Sequence, residues 1–100
     1  MKDFKKDPKP MPPAPLFCTG ILTITPGALD VLPPDAIVPL IDRHKRGDWG
    51  DLAEEDKAAN DDALEAGERL FSSYNVGAVK VWIITETDRS STTILLPEEY

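Results

Sequence analysis

The chain has almost none of the residue types from which reactive centres are built. One cysteine, Cys18, and one histidine, His44, occur in 100 residues. A single thiol excludes an intrachain disulfide. Transition-metal sites ordinarily draw several His or Cys ligands, so neither a metal nor another cofactor is expected. There is no glycine-rich phosphate loop. No apolar run approaches the roughly 18 residues of a membrane span. Prolines interrupt the lysine-bearing start where the apolar stretch of a signal peptide would fall. The expectation is a cytoplasmic protein with no membrane contact. Basic residues are scarce too: 11 Lys and Arg face 18 Asp and Glu, for a net charge of −7. That balance denies the positive footprint on which direct nucleic-acid binding rests.

The carboxylates are not spread evenly. Nine of them fall between Asp48 and Glu68, with Lys57 the one cation, so this block carries about −8 and the remainder is nearly neutral. It follows a basic corner and a Trp-Gly turn, Arg43-His44-Lys45-Arg46-Gly47-Asp48-Trp49-Gly50-Asp51-Leu52. A compact acidic face beside such a corner has the composition of a binding surface and names no reaction.

Residues 1–15 hold five of the ten prolines and four lysines, without apolar periodicity. Proline removes backbone donors and fixes φ, so this stretch is expected to be a disordered Pro/Lys-rich tail. Residues 16–100 form a single domain. Leu16–Thr25 has strand composition. Thr25-Pro26 fits a helix start, Thr25 as N-cap and Pro26 in the first turn, with Pro33-Pro34 ending a short helical turn. Asp35–Arg46 is the best helix, capped by Asp35, with a stripe of Ala36, Ile37, Leu40, Ile41 and His44. Asp51–Ala66 is a second helix with a thin stripe of Leu52, Ala59, Ala63 and Leu64, ended by Gly67. Three strands follow: Glu68–Tyr74, Val79–Glu86 and Ser91–Leu96, separated by turns at Asn75-Val76-Gly77 and Thr87–Ser90. Val79, Val81 and Ile83 on one face, with Trp82 and Ile84 on the other, make the middle one a central strand. The fold class is α+β: a small antiparallel or mixed sheet, built from the N-terminal strand and a C-terminal three-stranded meander, packed on two helices.

Chemistry is sparse against this background. Cys18, between Phe17 and Thr19, suits a buried structural thiol. His44 suits a half-buried stripe position better than a ligand. A small hydrolase using His44 with acidic residues is the one catalytic alternative. Trp49 could serve as an exposed interface anchor or fold back over the core, and the second is the more ordinary outcome. Thr85–Thr93 is rich in hydroxyls around Asp88-Arg89, but no base activates a serine there, and a hairpin turn accounts for it. The candidate binding surface is therefore Arg46, Asp48, Trp49, Asp51, Glu54 and Glu55, with Asp88 and Arg89 adjoining. No catalytic and no metal-ligating residue is assigned.

Several strings are specific: RHKRGDWGDL at Arg43–Leu52, EDKAAN at Glu55–Asn60, WIITETDRS at Trp82–Ser90, and LLPEEY at Leu95–Tyr100. They resemble a family of small uncharacterised bacterial proteins described as plasmid-related and found on integrative elements. The similarity runs over residues 20–100. It implies a mobile-element setting and no activity. The resulting expectation is a non-catalytic protein acting through an unknown protein partner, a DNA-handling protein among the candidates. The alternative is a DNA mimic whose helix carboxylates imitate phosphates and inhibit a DNA-binding or restriction system.

Overall fold

The computed structural model describes residues 15–100. The expected tail lies outside the described residues apart from Pro15. In chain order the elements are strand β1 (Ile21–Ile24), helices α1 (Pro26–Val31), α2 (Pro34–Lys45) and α3 (Glu54–Ala66), strands β2 (Leu70–Val76), β3 (Val79–Thr85) and β4 (Ser91–Leu95), and a 3-10 turn at Pro97–Glu99. The four strands form one mixed sheet in the order β1-β4-β3-β2. β1 runs parallel to β4, and the other two pairings are antiparallel. The fold is α+β, an N-terminal strand added to a C-terminal meander.

Cross-strand register decides which residues face the helices. Tyr74 pairs with Val81, Ser72 with Ile83 and Ile83 with Ile94, while Leu70 pairs with Thr85 and Thr85 with Thr92. Paired residues share a face. Ala28 and Leu32 from the α1 segment and Leu40 of α2 join Tyr74, Val81, Ile83 and Ile94 in the main apolar cluster. Ala63 of α3 and Trp49 join Leu70 in a smaller one. All three helices therefore cover one side of the sheet. The other side carries Phe71, Trp82, Ile84 and Leu95, with the Tyr100 ring 5.8 Å from Trp82 and Phe71 4.9 Å from it.

Boundaries shift from expectation for local reasons. β1 begins at Ile21 rather than Leu16, because Gly20 turns the chain at φ +66° against the Ser90 carbonyl. The segment before it runs over the surface, so Cys18 is exposed and not a buried thiol. α2 starts at Pro34, which puts Asp35 in its first turn instead of at the cap. α3 starts three residues late, at Glu54, and ends at Gly67 with φ +73°. A separate six-residue α1 makes three helices. Thr25 caps it as expected, its hydroxyl accepting from the Ala28 amide. The C-terminus adds a second cap: the Glu99 carboxylate accepts from the Gly27 amide (3.1 Å), the Leu96 amide (2.9 Å) and the Thr25 hydroxyl.

Between the two apolar clusters lies a chain of polar side chains. His44 is completely buried. Its Nδ1 meets Ser72 Oγ at 2.5 Å and its Nε2 meets Thr85 Oγ1 at 2.8 Å. Thr85 Oγ1 lies 2.7 Å from Thr92 Oγ1, which donates to the Thr19 carbonyl at 2.8 Å. The carbonyl end sets the direction. Thr92 gives its proton to Thr19, so Thr85 gives its own to Thr92 and must accept from His44. His44 is thus the Nε2–H tautomer, with Ser72 donating to Nδ1. Phe17 and Trp49 lie 5.3 and 5.8 Å from the imidazole, both edge-on.

Burial, reinforced by the charge of Arg89, lowers the His44 pKa from 6.5 to about 4. The unfolded chain then binds a proton more readily than the folded one between those values, so stability is lost as pH falls through that window. At about 1.4 kcal/mol per pH unit, roughly 3 kcal/mol disappears between pH 6.5 and 4. Urea unfolding across that range is expected to show this loss, and a folded His44→Gln variant is expected to show a flatter profile.

Candidate functional site

The basic corner is built by the end of α2. Gly47 leaves the helix with φ +79°, and the Asp48 amide returns to the Arg43 carbonyl at 3.0 Å. The Asp48 carboxylate takes two bonds from the Arg43 guanidinium, at 2.6 and 3.2 Å. That guanidinium lies 4.6 Å from the centre of the Tyr74 ring. Tyr74 donates its hydroxyl to the Asp48 carbonyl, and burial pushes its pKa up to about 12, so it remains a donor at any ordinary pH. The Arg43 bonds hold the Asp48 carboxyl below the usual range.

Gly50 then pairs with Ser73 as a one-residue parallel bridge along the outer edge of β2. Only glycine fits there: φ is +81°, and a Cβ would lie 2.0 Å from the Ser73 carbonyl oxygen. The Asp51 carboxylate receives Asn75 (3.0 Å) and Lys80 (3.2 Å), and these bonds lower its pKa. Trp49 is only 3 % exposed, and its indole donates to Asp61 of α3 at 3.0 Å. As an exposed anchor it is therefore corrected: the ring covers the smaller apolar cluster and ties the corner to the acidic helix.

α3 presents the acidic face. Asn60 and Ala63 are its buried positions, so Asn60 takes the inward place expected of Ala59, which is exposed. The Asn60 amide bonds both the amide and the carbonyl of Phe71, at 3.1 and 2.6 Å, and substitutes for a neighbouring strand. Glu54, Glu55, Asp56, Asp61, Asp62 and Glu65 are all exposed. Lys57 lies 3.6 Å from Glu54. Glu54, Asp61 and Glu65 recur at helical spacing on one stripe, with Glu55 and Asp62 beside it. Asp61, Asp62 and Glu65 were not among the residues singled out from sequence, although their seven- and four-residue spacing was visible there.

Arg46, Asp48, Asp51, Glu54 and Glu55 all belong to this end of the molecule. Arg46 is paired with Asp42 at 3.0 Å. Asp88 and Arg89 do not adjoin Glu54 and Glu55. Arg89, with φ +60°, bonds the carbonyls of Ala63, Glu68, Glu86 and Thr87. It therefore sits at the C-terminal end of α3, on the order of 15 Å along the helix from Glu54. Asp88 accepts from the Ser90 amide at 3.0 Å and closes the hairpin turn. Both side chains serve the β3–β4 connection.

The hydrolase alternative lacks its geometry. His44 has no solvent-exposed surface, and both its ring nitrogens are engaged by hydroxyls rather than carboxylates. Among the described residues no group of three or more His, Cys, Asp or Glu side chains could hold a metal ion, and no helix is long and apolar enough to cross a membrane. No protein-family model, curated protein or solved structure matches the chain. Fold and surface define an α+β domain with one acidic helical face.

Arg89→Ala is expected to destabilise the fold by about 2 kcal/mol in urea unfolding, because four backbone carbonyls lose a charged donor. Asp88→Ala is expected to cost less, since it removes one turn bond.

Proposed function

We propose that this protein is a non-catalytic binding module that presents the acidic face of α3 to a basic patch on a protein partner. The observation that carries the reading is where the carboxylates sit. Near the N-terminus of a helix, Glu54, Glu55 and Asp56 are favoured by the backbone dipole. Asp61, Asp62 and Glu65 occupy the C-terminal half, where the dipole opposes them; α3 has no basic residue of its own in the last turn, and Arg89 of the β3–β4 turn reaches the Ala63 carbonyl there. Asp61 and Glu65 also repel one another at four-residue spacing, as do Asp62 and Glu65 at three. Folding accounts for Asp61, which accepts from the Trp49 indole, but does not favour Asp62 and Glu65. An exposed acidic array of this kind raises the encounter rate with a basic partner and excludes acidic ones. The resemblance to plasmid-related and integrative-element proteins supports a bacterial mobile-element setting for such a module.

The corner adds rigidity. Trp49 and Asn60 fix α3 against the sheet edge, so the carboxylates are held on a stable surface rather than a mobile loop. Burial of Trp49 removes it from the contact surface and leaves Asp51, Glu54, Glu55, Asp61, Asp62 and Glu65 to make it.

The test is affinity capture from a bacterial lysate with wild type beside Glu55→Lys/Asp62→Lys/Glu65→Lys, the variant first shown to be folded. Wild type is expected to retain a basic partner that is released by salt and that the variant fails to retain. Equal recovery by both proteins would contradict the reading. Neutralising Asp62 and Glu65 to Asn and Gln is expected to raise the melting temperature while weakening capture, which separates binding from folding.

A further inference from the structure

The two edges of the sheet are treated oppositely. On the β2 edge the outward backbone groups of Phe71 and Ser73 are satisfied within the chain. The Ser73 amide donates to the Trp49 carbonyl (3.1 Å), the Asp51 amide donates to the Ser73 carbonyl (2.6 Å), and Asn60 takes both groups of Phe71. On the β1 edge, among the described residues, they are not. The Ile21 amide donates inward to Ser90 and the Thr25 amide to Ile94, both at 2.9 Å. In a parallel ladder alternate residues bond the same neighbour, so the amides and carbonyls of Leu22 and Ile24 point away from the sheet. No charge, proline or bulge interrupts Ile21–Ile24; of the usual edge safeguards it has only its shortness, four residues. Ile21 is 71 % and Leu22 48 % exposed.

We infer that β1 pairs antiparallel with β1 of a second copy of this chain, joining two four-stranded sheets into one. Three observations select this occupant. First, the strand is self-complementary about Thr23: a two-fold axis there sets Leu22 against Ile24 of the other copy and Ile24 against its Leu22. Those two outward residues then exchange four backbone bonds, and the two Thr23 residues form the closely spaced pair between them. Second, pairing is bounded, because the next outward position is Pro26, which has no amide proton and opens α1. Third, charge permits it. Pro15 to Leu29 contains no charged residue, and the Glu99 carboxylate beside it is engaged by Thr25, Gly27 and Leu96. The acidic α3 packs beside β2, at the opposite edge of the sheet. Two chains of net charge −7 that meet at β1 keep their acidic faces as far apart as the fold allows. A four-residue edge buries less than a permanent interface does, so the dimer forms in a concentration-dependent way. Salt strengthens it by screening the remaining repulsion.

The experiment is sedimentation equilibrium of the full chain over a wide concentration range, at low and high salt. Wild type is expected to pass from 11.0 kDa toward twice that mass, more readily in salt. Leu22→Pro removes an outward amide and leaves the inward ladder intact, the one kind of strand position that tolerates proline. Leu22→Lys places a charge on the edge. Both are expected to stay monomeric with unchanged circular dichroism, and Leu22→Lys keeps the test open if the proline variant unfolds. The register is read separately: Thr23→Cys in a Cys18→Ser background brings two Cα atoms to about 4.5 Å, within disulfide range, and is expected to cross-link on mild oxidation. A wild type that remains monomeric throughout, its edge covered by something other than a second copy, would overturn the inference. So would a dimer unaffected by folded Leu22→Lys, or cross-linking by Leu22→Cys and not by Thr23→Cys.

Discussion

The fold depends on burying one neutral imidazole. Taking His44 out of water is costly unless both ring nitrogens find partners. The chain meets that cost with a relay of hydroxyls in which Ser72, Thr85 and Thr92 each donate once, and Thr85 and Thr92 each also accept once. Its members come from α2, β2, β3 and β4, and it ends on the Thr19 carbonyl just ahead of β1. A single polar path thus fixes how α2 lies on the strands. It also divides the interior into a main apolar cluster under α1 and α2 and a smaller one around Trp49, Ala63 and Leu70. Low local dielectric strengthens such a path when complete and penalises any break in it. The same enclosure keeps the only histidine away from solutes.

The surface is polarised. One side of the molecule holds the Gly47–Asp51 corner and α3, stitched to the β2 edge by Trp49, Gly50 and Asn60. The carboxylates of α3 are mounted on this supported side. On the other side, β1 is itself apolar and uncharged, and among the described residues its outward backbone groups at Leu22 and Ile24 have no partner. The tryptophan loop and the Asn60 amide cover the β2 edge at Ser73 and Phe71, whereas nothing among the described residues covers β1.

Much of the architecture was legible in the sequence because the signals were local. The Val79–Thr85 alternation identified the central strand, Gly67 marked the end of α3, and Thr25-Pro26 marked the start of α1. The errors came from interactions distant in sequence. Cys18 reads as buried by its apolar neighbours, yet Gly20 redirects the chain against Ser90 and leaves the thiol outside. Asn60 reads as a polar surface residue, yet the β2 edge needs a donor and an acceptor at Phe71, and that need draws it inward past Ala59. The stripe placed His44 against the sheet, but its full burial required hydroxyls 28 and 41 residues away. The acidic face was visible as composition. Its division from Asp88-Arg89 was not, because Arg89 is recruited to the far end of α3 by carbonyls that no local pattern reveals.

The most direct test of the central claim is the ring nitrogen spectrum of His44. As the chain's only histidine, it gives one unambiguous pair of signals under nitrogen-15 labelling. A buried structural imidazole in this relay predicts the neutral Nε2–H tautomer, unchanged from pH 7 down to pH 5. An imidazolium signal near pH 6, or a rapidly exchanging mixture of tautomers, would mean that the ring reaches solvent. The hydroxyl relay would then not be what holds the sheet and helices together.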